Sequence, residues 1–319
     1  EKKEKSVKKM ELRVLQYFLA VTKAKSISGA ARLLHLSQPT LSRQLQELEQ
    51  ELGTKLFIRS NRNITLTEEG LILRKRAEEI IELMQKTQNE ITASDTNISG
   101  EIYIGAGESQ CVRPLIQTIQ NLRKKYPQIR LHIISGDKTA VLEDLEHGLI
   151  DFALLFGEID ATRYDCLTLP SVDCFGVMMR KDDPLAQKEV IQPADLYGQP
   201  LIVSRQFFYD HKLAELFGCE KSQLAIVGTY TLLFNGSLMV EEGIGYAICF
   251  DHIINITGES QLCFRPLSLE IRPKTSFVWK KNQVFSKAAK HFLLAVQNMQ
   301  QASYSPIDAA WNNETSSQK

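Results

Sequence analysis

Leucines at positions 41, 45, 48 and 52 step by four, three and four, so they fall on one stripe of a helix with 3.6 residues per turn. Pro39, Arg43, Gln46 and Gln50 fall on the opposite side, with Ser42 at the flank. Pro39 fixes the start, because its missing N–H costs nothing only in the first helical turn. One helix therefore begins near Gln38, and a preceding one, carrying Ala30, Ala31, Leu33 and Leu34, stops near Leu36. A helix with an apolar back and a Gln/Ser/Arg front suits the major groove of DNA, where a guanidinium reads guanine bidentately and Gln and Ser bond base edges. The same pattern also fits an ordinary helical hairpin with a solvated polar face.

The pattern then shortens to the period of a hairpin. Leu56, Ile58, Ile64 and Leu66 are apolar, Ser60 to Asn63 are turn formers, and Arg59 and Arg62 sit at the tip. A basic hairpin placed here reads as a wing that reaches phosphates or an adjacent minor groove. Thr67 can cap a helix from about Glu68 to Ala93, along which Leu73, Ala77, Ile80, Met84, Thr87 and Ile91 form a heptad seam. Packing on its own domain would use such a seam. At about 40 Å long, however, the helix outreaches a small winged domain and calls for a partner, most simply a second copy. Ser94 to Gly100 reads as a hinge.

From Glu101 onward strands and helices alternate. Ile102 and Ile104 mark a strand, and a helix opening near Pro114 ends before Pro127. Ile129, Leu131 and Ile133 mark a strand, a helix runs from about Thr139 to Gly148, and Asp151 to Phe156 is a third strand. This βαβαβ order implies a parallel sheet. A second α/β unit follows: strands at 175–179, 201–204, 225–228 and 246–250, and helices at 206–217 and from about Thr231 to Gly243. A strand at 275–279 and a helix at 286–301 close the pattern. Ligands of open α/β sheets sit beyond the carboxyl ends of strands. The candidate loops are therefore Gly107 to Cys111, Ser135 to Thr139, Phe156-Gly157, Ser204-Arg205 and Thr229 to Thr231.

The run Ala30-Ala31, Ser37-Gln38-Pro39-Thr40-Leu41-Ser42, Leu48-Glu49, Leu52-Gly53, Leu56-Phe57, Arg59, Leu66-Thr67 and Gly70 resembles the LysR-type bacterial transcriptional regulators. It spans about 60 residues, with weaker matches to about residue 300. The resemblance implies a winged helix-turn-helix, a long dimerising linker helix, and two α/β subdomains like the type 2 periplasmic solute-binding proteins. It implies a homodimer or homotetramer in the cytoplasm that binds promoter or operator DNA, works with RNA polymerase, and changes shape when a small effector binds between the lobes. It also implies that the last strand and helix return to the first lobe, with crossovers near residues 170 and 272. The candidate DNA contacts are Gln38, Pro39, Thr40, Ser42, Arg43, Arg59 and Arg62. The candidate effector contacts are Glu108, Ser109, Gln110, Ser135, Thr139, Phe156, Ser204 and Thr231. Ser109 stands where the resemblance places an effector-contacting Ser or Thr, although Pro114 follows it unusually soon. A helix cap or turn role is the competing account of each of these loop polars.

The expected division is a 1–9 extension or expression remnant, a DNA-binding domain at 10–67, a linker helix at 68–96 and an effector domain at 97–303. Within the last, one subdomain is 101–170 plus 273–303 and the other is 171–272. Residues 304–319 are a polar tail.

Composition narrows the field further. The 319 residues carry 38 Lys/Arg against 38 Asp/Glu, so the whole chain is no polycation. From Met10 to Leu66, though, eight Lys/Arg face four Asp/Glu, a surplus placed where phosphates would be met. Apolar runs fall far short of the ~20 residues of a membrane span, and no segment has the order of a signal peptide. The six cysteines and six histidines are scattered without metal-ligand spacing, so no metal or cofactor is expected. No nucleophile-elbow, zinc-protease, phosphate-loop or dinucleotide motif occurs, which disfavours an α/β enzyme. A stand-alone small-molecule binding protein would lack the helix-turn-helix. Helix N-termini converging on the cleft would favour a small anionic, carboxylated metabolite, unless Glu108 points inward.

Overall fold

The computed structural model describes residues 10–59, 64–92, 98–170, 173–210, 212–269 and 274–303. The chain forms two compact units, divided between Thr92 and Ala93.

The first unit contains α1 (Leu12–Ala24), α2 (Ile27–Leu33), α3 (Gln38–Leu52), β1 (Phe57–Arg59), β2 (Ile64–Leu66) and α4 (Glu68–Thr92). Three hydroxyls start its helices. Ser26 accepts the N–H of Gly29 at 2.9 Å, Ser37 that of Thr40 at 3.3 Å, and Thr67 that of Gly70 at 3.0 Å. Leu41, Leu45 and Leu48 are buried against Leu15, Phe18 and Val21 of α1, the alanine pair of α2, and Leu56, Phe57 and Ala77. Leu52 departs from the expected stripe and is 42% exposed. It is the last helical residue, and Gly53 in the left-handed conformation (φ 70°) turns the chain away there. β1 and β2 pair antiparallel, with Phe57 opposite Leu66 and Arg59 opposite Ile64. A Cβ on Gly70 would lie 2.2 Å from the carbonyl oxygen of Leu56, so α4 passes the wing only because that position is glycine.

The expected seam of α4 divides in two. Leu73 and Ala77 pack, with Ile81, into the unit's own core. Ile80 and Ile91 are exposed, as is Leu83 outside the expected seam.

The second unit is two five-stranded sheets. The first lobe contains β3 (Gly100–Ala106), α5 (Val112–Lys125), β4 (Ile129–Ser135), α6 (Lys138–Glu146), β5 (Phe152–Phe156) and β6 (Tyr164–Leu169). The second contains β7 (Phe175–Arg180), β8 (Pro200–Ser204), α7 (Arg205–Asp210), α8 (Lys212–Phe217), β9 (Ala225–Tyr230), α9 (Leu233–Glu241), β10 (Tyr246–Phe250) and β11 (Leu262–Pro266). The chain then returns as β12 (Thr275–Lys280) and α10 (Lys287–Ser303). The strand orders are β4-β3-β5-β12-β6 and β11-β7-β10-β8-β9. β3 is parallel to β4 and β5, as expected, and β12 inserts antiparallel between β5 and β6. Phe277 of β12 and Phe292 of α10 are fully buried with Ile102, Leu115 and Phe152, so the chain's return completes the first lobe's core.

Some elements differ from expectation. β6 and β11 were not foreseen. The helix expected at 206–217 is two short ones, and α9 starts at Leu233, so Thr231 belongs to the loop before it. The expected hinge at 94–100 and crossovers near 170 and 272 extend into 93–97, 171–172 and 270–273, outside the described residues, as do 1–9 and 304–319. Among the described residues no helix is long and apolar enough to cross a membrane.

Candidate functional sites

The front of α3 is set by its buried back. Gln38, Pro39, Thr40, Arg43, Gln46 and Gln50 are exposed and Ser42 is half-buried. The hydroxyls of Ser37 and Thr40 lie 2.7 Å apart, which ties Thr40 to the helix cap. Arg43 Nε donates to Glu47 Oε1 at 2.9 Å, yet the arginine side chain is 80% exposed. Such an exposed i,i+4 pair is worth only about 0.3–0.5 kcal/mol, too little to hold the guanidinium from a phosphate or a guanine edge. Arg59 closes β1, and Arg62 lies outside the described residues.

Glu49, on the back of the same helix, joins α3 to the wing. Its buried carboxylate accepts the N–H of Leu56 at 2.9 Å and of Phe57 at 3.3 Å, and the Lys55 ammonium at 2.9 Å. Burial alone would raise its pKa. The Lys55 hydrogen bond, the two backbone donors and the Lys55 charge together outweigh burial and hold the carboxyl below its usual range.

The second site is a cleft of about 550 Å³ between the lobes of the second unit. From the first lobe it is lined by Gly107, Glu108, Gly136, Asp137, Phe156 and Glu158, beyond the carboxyl ends of β3, β4 and β5. From the second it takes Phe175, Ser204, Arg205, Glu215, Tyr230, Thr231, Leu233 and Phe250, among others. Of the candidate effector residues, Glu108, Phe156, Ser204 and Thr231 line this cleft. Ser109, Gln110, Ser135 and Thr139 do not. The Ser109 hydroxyl instead donates to Asp173 Oδ2 at 2.5 Å, and the Gln110 side chain donates to the His252 carbonyl at 2.7 Å. Ser135 and Thr139 are exposed.

Phe175, Glu215 and Phe250 are lining residues that the sequence reading did not single out. Phe250 closes a parallel strand as Phe156 does, so the strand-end rule that selected Phe156 also applies to it. Phe175 opens an antiparallel strand, which brings the start of β7 to the edge where its neighbours end. The Phe250 ring centroid lies 4.9 Å from that of Phe156 and 4.4 Å from that of Phe175. Tyr230 donates its hydroxyl to the carbonyl of Ile248 at 2.7 Å, and burial raises its pKa well above the ordinary value.

The starts of three helices around the cleft already hold the chain's own carboxylates. Glu108, in the first lobe, accepts the N–H of Leu233 at the start of α9 in the second. Asp137 accepts the N–H of Ala140 in α6 at 3.0 Å. Asp173 accepts the N–H of Gln110 at 2.9 Å, ahead of α5, along with the Ser109 hydroxyl and the Cys111 thiol. These bonds weaken the anionic-ligand expectation at α9 and α6, while that expectation also rested on the loop after Ser204, where α7 begins beside the cleft.

A winged helix-turn-helix joined in one chain to a two-lobed α/β cleft defines a DNA-binding regulator with a ligand-binding domain. Residues 12–71 match the bacterial regulatory helix-turn-helix model of the lysR family, and residues 96–301 match the LysR substrate binding domain. The Hca operon transcriptional activator HcaR of Escherichia coli (strain K12) is 30% identical over 300 residues, covering 90% of this chain and 97% of HcaR. The HTH-type transcriptional regulator BsdA of Bacillus subtilis (strain 168) is 30% identical over 198 residues, covering 61% of this chain and 67% of BsdA. The LysR family regulator CbnR shares the fold with a TM-score of 0.72 at 20% identity, over 91% of this chain and 99% of that one. Full-length CbnR in complex with its target DNA gives 0.71 at 21%, with the same coverage. The chain belongs to the LysR family: it is a DNA-binding transcriptional regulator with an effector-binding domain, and not an enzyme.

Proposed function

We propose that this regulator reads operator DNA with the front of α3, through Gln38, Pro39, Thr40, Ser42 and Arg43, while Arg59 and Arg62 of the wing hold phosphates. In this reading a small molecule in the cleft shifts the DNA-bound state, with Glu108, Phe156, Ser204 and Thr231 among its contacts. Residues 10–67 form the DNA-binding domain, 68–96 the linker and 97–303 the effector domain. The chain acts in the cytoplasm as a homodimer or homotetramer, supported by the exposed Ile80, Leu83 and Ile91 of α4, and RNA polymerase is its partner at promoters. The observation that carries the DNA reading is the exposed Arg43 directly opposite the buried Leu41, Leu45 and Leu48. Genome-wide mapping of bound sites supplies the cognate duplex, and gel-shift titration of Arg43→Ala at two salt concentrations then tests the reading. The expected loss is about 1–3 kcal/mol on the cognate site and much less on scrambled DNA. Unchanged cognate affinity would sink the assignment.

A further inference from the structure

We infer that the cleft selects a small cationic effector, an amine or substituted ammonium carried on an apolar body. This rests on the reading of the cleft as the effector site.

Three features point the same way. The first is charge. Among the described lining residues Glu108, Asp137, Glu158 and Glu215 stand against one cation, Arg205, with the Lys138 ammonium on the Glu158 carbonyl at the rim at 2.9 Å. In a partly desolvated space of about 550 Å³, like charges reinforce one another and set the sign of the ligand that gains by entering.

The second is where the helix starts spend their donors. An incoming carboxylate would normally be met by backbone N–H groups at a helix N-terminus. Here Glu108 takes that role at α9, Asp137 at α6 and Asp173 ahead of α5. At α9 and α6 an anion would have to sit beside one of these carboxylates. An ammonium has no such conflict. Glu108 and Asp137 each spend one bond on a helix N–H, and an ionised carboxylate keeps further acceptor sites for an N–H donor.

The third is the aromatic wall. Phe156 from the first lobe meets Phe250 from the second, and Phe250 meets Phe175, with centroid separations of 4.9 and 4.4 Å. Aromatic faces attract cations within about 6 Å and shelter an apolar body. Carboxylates beside aromatic faces thus supply both halves of a recognition site for an amphipathic amine.

The test uses the full chain and two charge series built on fixed skeletons: phenethylamine, 2-phenylethanol and 3-phenylpropanoate, then pentylamine, pentanol and hexanoate. Calorimetry and thermal shift read the affinities. In at least one series the amine should bind tenfold or more tightly than its carboxylate, and Phe250→Ala should weaken it. Glu108→Gln with Glu215→Gln should erase the preference. Should the double variant fail to fold, Glu215→Gln alone, at an exposed position, should still reduce the preference severalfold. If a carboxylate outbinds its amine and still depends on Phe250, the charge assignment is overturned while the cleft reading stands. If no member of either series binds in a Phe250-dependent way, the cleft reading falls, and this inference with it.

Discussion

The front of α3 draws Gln38, Ser42 and Arg43 from two turns of one helix, so its geometry follows from 3.6 residues per turn and a leucine stripe. The cleft draws its lining from Gly107 to Ile253, and its members meet only after two sheets have formed and the lobes have faced each other. A surface made on one element can be read from spacing. A surface made between elements depends on strand order, on which end of each strand faces the gap, and on which polar groups the fold has already used. Ser109 illustrates the last point: its hydroxyl is in the candidate loop but is committed to Asp173.

The largest expected effect separates the two regions through their cores. Phe292 is fully buried among Phe152, Phe277 and Ile102 in the first lobe. Phe292→Ala should cost the second unit about 3–5 kcal/mol. The first unit has its own core, from Leu15 to Ala77. Hydrogen exchange or denaturant unfolding followed by region should show its stability unchanged. Equal destabilisation of both regions would mean they unfold as one.

A smaller effect is expected at the joint between α3 and the wing. Glu49→Gln weakens the hydrogen bonds to Leu56, Phe57 and Lys55, and should cost the first unit about 1–3 kcal/mol. The pH dependence has a definite sign. The folded pKa of Glu49 is lowered, so its contribution is fully present above the unfolded value of about 4.3 and fades as the pH falls through the folded value. The gap between wild type and Glu49→Gln should therefore be constant from pH 7 to about 5 and close in stronger acid. A gap that widens in acid would remove Glu49 from this role.

What was legible in the sequence divides along the same line. The helix-turn-helix, the wing pairing and the Thr67 cap rest on local signals and match the structure. The strands β3, β4, β5, β7, β8, β9, β10 and β12 were visible from their apolar residues. β6 and β11 were not. β6 buries only its two ends and carries Asp165 and Thr168 at exposed positions, and β11 ends in Pro266. Their pairing with β12 and β7 is antiparallel and comes from distant segments, which periodicity cannot supply. The α4 seam was half legible. The helix itself was legible, but spacing alone could not separate Leu73 and Ala77, used by the unit's own core, from the exposed Ile80 and Ile91. Phe175 was missed because the strand-end rule was applied to parallel strands, whereas β7 enters the same edge by its start. The occupation of helix starts by Glu108 and Asp173 links residues 125 and 63 positions from their partners, beyond any local pattern.

Selection of binding sites from a random duplex library tests the division of labour most directly, with wild type, Arg43→Ala and Phe250→Ala compared as full chains. Wild type should enrich one motif. Arg43→Ala should enrich a motif relaxed at the base that Arg43 reads, and Phe250→Ala should enrich the wild-type motif unchanged, because Phe250 lies in the second unit, at the cleft and the second lobe's core. A wild-type motif from Arg43→Ala, or an altered one from Phe250→Ala, would contradict the account.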